Sequence, residues 1–467
     1  MEDSEKLEVK RDKKVQEEKA ASRMKLKLEI LLNGRLTIGD KIPLRKWEKE
    51  WPLPEECRIE KYKTILKNHG KKIEVERYRL IGKMGNLPNS KAKMFYKGNS
   101  TRGLPYVTKD GYVWCILKSN FPPQLVVDAS SLSTDGEWLY LKVPKNKIGV
   151  WRKNRIEKVT FCILPKEIDL TDEFWEVFGI LQGEMTQKGR DVSISNTEPL
   201  IINLILDFFD KNEIISKNDW NITVSINSKN IPYNQREELS EKIREYWSTK
   251  LTIPPEKISN IYWYDQFNST LEENYGEINL RFENICLRKV IDLLLEFAKK
   301  EALKDEKYAI PFLRGLFAAE GNVTSDKSER LLELTLSAKK LEDRKLYKEI
   351  CEVAGLEATY EIKHHHVLIF GIVNFLKCLK NDIFRLHEKR REKFITNLKN
   401  LTTIKALSHI LNSPKTVREL VKILKLRDYR NLNKNLSKLV KENLLWREKT
   451  KKCFVYYPTK ELKSLLY

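Results

Sequence analysis

Glu184 and Glu320 are the residues with which this sequence could do chemistry. Each closes a short apolar run. The first reads Val177-Phe178-Gly179-Ile180-Leu181-Gln182-Gly183-Glu184, the second Leu313-Arg314-Gly315-Leu316-Phe317-Ala318-Ala319-Glu320-Gly321. Both read as apolar helices with small residues on one face and a carboxylate at the end. Two such helices can cross closely at their glycines and bring the carboxylates together. Paired carboxylates are hard oxygen ligands, which suit a divalent metal and hydrolysis of phosphodiesters. One glutamate ending a helix in water would need no explanation; two at matching places do.

The elements that must position the pair repeat as well. After Glu184 comes a turn, an alternating strand over 191–196 and a helix over 197–209. After Glu320 comes a turn, a strand over 331–337 and a helix over 341–353. Each half later has a strand entering an apolar helix, 278–282 into 285–297 and 367–370 into 372–379. The acids lie 136 positions apart and the late strands 88, so the first half carries roughly 48 extra residues, placed around 229–270. That segment includes an amphipathic helix over 234–247.

Outside the repeat the pattern changes. Residues 1–35 read as a charged tail. Residues 35–85 hold Trp47, Trp51, several prolines and a Lys-rich helical stretch. Residues 36–160 make a β-rich domain, with strand-like runs at 106–108, 112–117, 125–127 and 138–143 separated by turn signals. At the other end, 401–411 is a helix, Thr416-Val417-Arg418-Glu419 is a capping box opening a second, and 430–443 is a third. Two strands around a Lys-rich turn follow, so residues 401–467 are expected to form a winged helix-turn-helix. Arg427, Arg430, Asn431 and Lys434 at the start of the third helix, with Arg447 and Lys451 in the wing, are its candidate DNA contacts.

A net charge of +21 points to a polyanionic partner, most often nucleic acid. The seven cysteines include no Cys-x-x-Cys pair, which disfavours a zinc finger. Their odd number and spacing disfavour a disulfide framework and fit a reducing, cytoplasmic setting, close to the nucleoid. No run is long and apolar enough to span a bilayer, so no membrane partner is expected. In His364-His365-His366, strand alternation sends the middle ring to the opposite face, which makes a poor chelate.

The doubled motif resembles the LAGLIDADG (DOD-type) homing endonucleases, over roughly residues 160–400. The second copy is close to the family's forms. The first departs from them, with Met185 in the place of a glycine and Gln182 at the first acidic position. The resemblance implies an α+β fold: a pseudo-symmetric, duplicated αββαββα-type domain with halves 161–305 and 306–400. It implies that Glu184 and Glu320 bind Mg²⁺ and that a basic residue near the attacking water is Lys389; Lys300 or Lys304 falls near the analogous place in the first half. It also implies that double-stranded DNA is read by the exposed strand faces. The candidates there are Lys188, Arg190, Ser193, Ser195, Thr223, Ser225 and Arg281 in the first half, and Lys327, Arg330, Thr335, Ser337 and Lys363 in the second. The expectation is a free-standing protein rather than an intein, since the chain begins with Met1 and lacks a terminal His-Asn pair for splicing, and a monomer, since its two halves form an internal pseudo-dimer. Its expected activity is a Mg²⁺-dependent double-strand cut. A non-cleaving regulator similar to the WhiA proteins, and an RNA splicing maturase, are the other readings the resemblance allows.

Overall fold

The computed structural model describes, with side chains, residues 24–32, 146–150, 162–186, 189–229, 231–266, 268, 275–360, 364–450 and 453–466, together with the backbone of further strands between 37 and 165. The centre of the molecule is a pair of crossed helices, α2 (Asp172–Glu184) and α6 (Glu306–Glu320). The N-terminal part holds β1 (Lys25–Lys27), α1 (Leu28–Leu32), β2 (Thr37–Ile38), β3 (Lys41–Pro43), β4 (Arg58–Asn68), β5 (Lys71–Lys83), β6 (Pro105–Val107), β7 (Tyr112–Leu117), β8 (Trp138–Tyr140), β9 (Lys147–Lys153), β10 (Val159–Pro165) and β11 (Glu167–Asp169). Every residue of α2 from Phe174 to Gln182 is buried, as expected of a helix that is apolar all round.

Each central helix leads into one four-stranded sheet. The first unit holds β12 (Val192–Asn196), α3 (Pro199–Lys211), β13 (Asn221–Asn227), α4 (Arg236–Leu251), β14 (Ile258–Tyr264), β15 (Glu277–Phe282) and α5 (Ile285–Ala302). The second holds β16 (Gly321–Ser325), β17 (Leu331–Ser337), α7 (Leu341–Val353), β18 (Ala358–Tyr360), β19 (His366–Phe370) and α8 (Ile372–Lys380). The sheet orders are β12-β15-β13-β14 and β16-β17-β19-β18. Three strands correspond across the units: β12 with β17, β15 with β19, β13 with β18. The fourth strand sits on opposite edges. In the second unit it is β16, running straight on from α6 and antiparallel to β17. In the first it is β14, parallel to β13 and reached through α4.

The extra residues expected around 229–270 are therefore a helical crossover plus an edge strand. The αββαββα order expected of both halves holds for the second only. Among the described residues the first half has no strand between α2 and β12, where Met185 makes a single bridge to Ile194.

Three N-terminal expectations are corrected. Residues 24–32 are not tail: β1 pairs with β11, and Leu28 and Leu32 are fully buried, packing against α5. The Lys-rich stretch is not helical. It is the hairpin β4–β5, paired from Arg58↔Ile81 to Asn68↔Lys71. Its Ile73-Glu74-Val75-Glu76 alternation is a strand period. The division placed at 160 runs through β10, which pairs with β9 and packs on α5. Strands lie at 105–107 and 112–117, close to the runs expected, and at 138–140 within the run expected over 138–143; residues 125–127 and 141–143 lie outside the described residues.

Beyond α8, helix α9 (Glu388–Lys399) leads into a C-terminal unit of α10 (Thr402–Asn412), β20 (Lys415–Thr416), α11 (Val417–Ile423), α12 (Arg430–Lys441), β21 (Leu445–Lys449), β22 (Phe454–Pro458) and α13 (Lys460–Leu466). Its sheet order is β20-β22-β21. The capping box is present: Glu419 N–H donates to Thr416 Oγ1 at 3.2 Å, and Thr416 N–H to Glu419 Oε2 at 2.7 Å. Ion pairs Lys377–Glu442 at 3.2 Å and Lys380–Glu461 at 2.7 Å join the unit to α8. No helix among the described residues is long and apolar enough to cross a membrane.

Candidate active site

The helix crossing depends on glycine. A Cβ on Gly315 would lie 2.1 Å from the Glu176 carbonyl oxygen and 2.9 Å from Gly179 Cα. A Cβ on Gly179 would lie 2.2 Å from the Phe312 carbonyl oxygen. These are backbone atoms, which cannot swing aside, so no larger residue permits this approach. One turn on, a Cβ on Gly183 would meet Glu320 Cγ at 2.9 Å. The bare face of α2 is thus the floor beneath the Glu320 side chain.

At that end of the crossing stand the two carboxylates, both half-buried. Glu184 accepts a hydrogen bond from Asn196 Nδ2 at 2.7 Å. Burial, and then the neighbouring Glu320, push the Glu184 carboxyl up to about 8, against the pull of Asn196 and Arg390. Burial likewise raises Glu320, while Arg390 and Lys339 oppose the rise. Two acids held close together out of water resist carrying two negative charges.

The first turn of α9 brings a cation to the pair. Arg390 Nη1 donates to the carbonyls of Phe317 at 2.8 Å and Ala318 at 2.7 Å. It thereby closes the open end of α6. Burial lowers the Arg390 pKa, and Glu184, Glu320 and Glu198 favour its charge. Lys389, one residue earlier, acts on Glu198, whose carboxyl burial raises and Lys389 lowers. His387 lies 3.7 Å from Glu198 and is pushed down to about 4, chiefly by burial and then by Arg390. Arg390 is the residue sequence reading missed. A helix turns about 100° per residue, and nothing in Glu388-Lys389-Arg390-Arg391 shows which cation faces inward.

Gln182 does not join the pair. It is buried and donates from Nε2 to Asp343 Oδ1 at 3.2 Å, a polar link from α2 to α7. At the far end of the crossing the buried Glu176 meets Arg385 and Arg314. Among the described residues no group of three or more His, Cys, Asp or Glu could hold a metal ion. The donor set at the crossing is therefore two hard carboxylate oxygens. It fits Mg²⁺, which keeps several waters and takes one or two protein carboxylates beside a substrate phosphate.

The candidate sheet contacts are only partly open. Ser195 Oγ donates to Asn279 Oδ1 at 2.5 Å, and Asn279 Nδ2 donates to Ser225 Oγ at 3.1 Å. Ser225 and Thr335 are buried. Ser193 and Thr223 are half-buried, while Arg190, Lys327 and Ser337 are exposed. Arg281 is held by Asp191 at 2.6 Å and Glu283 at 3.1 Å. Arg330 is held by Asp326 at 2.8 Å. Lys188, Lys363 and Lys451 lie outside the described residues.

In the C-terminal unit Arg427, Asn431 and Lys434 are exposed. Arg430 pairs with Asp428 at 2.9 Å. Arg447 sits 4.2 Å over the Phe454 ring. Of the histidine run only His366 lies in a strand, as the first residue of β19; the rings of His364 and His366 lie 5.5 Å apart, while Arg344 lies 3.2 Å from His365 Nδ1.

No family profile and no curated protein matches the sequence. Among solved structures there is weak likeness to LAGLIDADG domains. I-DmoI in complex with DNA and Ca aligns at 14% identity over 45% of this chain and 87% of its own, with a TM-score of 0.26. The N-terminal LAGLIDADG domain of DUF199/WhiA aligns at 14% identity over 47% and 84%, with a TM-score of 0.23. Full-length DUF199/WhiA from Thermatoga maritima aligns at 14% identity over 58% and 90%, with a TM-score of 0.25.

Proposed function

We propose that the chain is a site-specific DNA endonuclease of the LAGLIDADG homing type, hydrolysing phosphodiesters of double-stranded DNA with Mg²⁺ held by Glu184 and Glu320. The observation that carries this reading is the pair itself. Glycines without side chains let α2 and α6 cross so closely that two half-buried acids stand together, an arrangement unfavourable until a cation joins them. The chemistry a divalent cation supplies there is stabilisation of charge on the phosphoryl oxygens and activation of water. Asn196 orients the Glu184 carboxylate, and Arg390 fixes the end of α6 from which Glu320 projects. The C-terminal unit, read as a winged helix, extends the contact with DNA.

A second reading is a non-cleaving DNA-binding regulator. It is favoured by the departure of the first unit, which among the described residues has no counterpart of β16. The test is incubation of the full chain with Mg²⁺ and a randomised duplex library. Cleavage by the wild type, abolished in Glu184→Gln and Glu320→Gln, is expected. Binding without cleavage, unchanged by either substitution, would establish the regulator instead.

A further inference from the structure

The positive charge of this chain is not where the carboxylates are. Residues 161–400 hold 35 Lys and Arg against 40 Asp and Glu, a net charge of −5. Residues 401–467 hold 16 against 5, a net charge of +11, and residues 1–160 a net charge of +15. The unit with the acid pair therefore has no net attraction for a polyanion. Its sheet cations Arg281 and Arg330 are already neutralised by Asp191 and Asp326.

The C-terminal unit is built the other way. Helix α12, Arg430-Asn431-Leu432-Asn433-Lys434-Asn435-Leu436-Ser437-Lys438-Leu439-Val440-Lys441, contains no acidic residue. Leu432, Leu436 and Leu439 are buried beneath it. Arg430 is paired with Asp428, but Lys434, Lys438 and Lys441 are exposed on its outer side, and helical geometry places the three lysines within an arc of about 60° and a length of about 10 Å. That stripe fits within the roughly 12 Å width of the B-DNA major groove, and the long lysine side chains extend its reach to the phosphates on the groove walls. The unit is tied to the acid-bearing part by Lys377–Glu442 and Lys380–Glu461. DNA held on α12 is thus held by a unit that contacts α8 of the acid-bearing part.

We propose that α12 is the electrostatic anchor for duplex DNA, and that the net-acidic unit with Glu184 and Glu320 reaches its phosphodiester because α12 holds the duplex. The proposal rests on the DNA-binding part of the reading above and not on cleavage.

It is tested with the full chain in EDTA, by anisotropy of a labelled duplex across a salt series. Each phosphate that the protein neutralises steepens the fall of log K with log salt by about 0.9. The variant Lys434→Ala/Lys438→Ala/Lys441→Ala is expected to make that slope shallower by about 2 to 3. The variant Arg190→Ala/Lys327→Ala/Arg330→Ala, at the ends of the two sheets, is expected to change it by less. Alanine is the best helix former, and melting curves verify that each variant is folded. A change from the sheet variant as large as that from the α12 variant would overturn the proposal. If the chain binds as expected yet never cuts with Mg²⁺, the endonuclease reading fails and the anchor stands.

Discussion

Replacing Glu184 by Gln separates a metal-seeking acid pair from two carboxyls that merely end helices. In water a glutamate ionises near 4.5; beside Glu320 and out of solvent, Glu184 is held up to about 8. The folded state therefore prefers the protonated form. Its contribution to stability is fully present below about pH 4.5 and is lost as pH rises through about 8. The amide introduced by Glu184→Gln would mimic the neutral carboxyl at every pH. Without metal, wild type and Glu184→Gln are expected to melt together at about pH 4. The wild type should fall behind by about 3 kcal/mol near neutral pH and by about 5 kcal/mol well above pH 8. Adding Mg²⁺ reverses the order, because a cation that binds the folded carboxylates stabilises wild type by mass action and leaves the variant unmoved. The assay is thermal melting across pH, in EDTA and in excess Mg²⁺. Equal pH slopes for the two proteins, or an equal rise with Mg²⁺, would refute the reasoning.

Gly315→Ala places a methyl 2.1 Å from the Glu176 carbonyl oxygen, so overpacking should cost about 2 kcal/mol or more, read in denaturant melts. Arg390→Ala frees the carbonyls of Phe317 and Ala318 and removes the cation that lowers Glu184. It should destabilise by about 3 kcal/mol and move the pH midpoint of the Glu184 effect further upward. That midpoint is measured by adding Glu184→Gln to the Arg390→Ala background and comparing the melting of the single and double variants across pH. Thr416→Ala removes one arm of the capping box. Its cost of about 1 kcal/mol should appear as faster hydrogen exchange in Val417–Ile423, with exchange in α2 and α6 unchanged.

Much of the site was legible because its parts are local. A glycine five residues before a terminal acid, on a helix apolar all round, states both a close crossing and what would stand at its end. The strand at 191–196 and its partner at 331–337 announced themselves by alternation. The capping box needed only Thr416 and Glu419. The extra length of the first unit was visible as a difference in spacing, though its form was not. Whether 258–264 returns as a parallel edge strand is decided by the open edge of β13, which lies far away in sequence. The β4–β5 hairpin escaped because lysine at alternate positions suits a solvated helix as well as an exposed strand face.

By itself, then, the sequence determined the two acids, the glycines beneath them, the order of elements around each and the separation of acidic centre from basic flanks. Only the tertiary structure decided which partners the acids meet. Arg390 rather than its neighbour faces the pair because the phase of α9 is fixed by Phe394 and Leu398 packing into the core. Gln182 turns to Asp343, and Ser195 and Ser225 turn to Asn279 instead of outward. The physical reason is common to all of them: a side chain's type limits what it can bond, but its direction is set by the packing of elements distant in sequence.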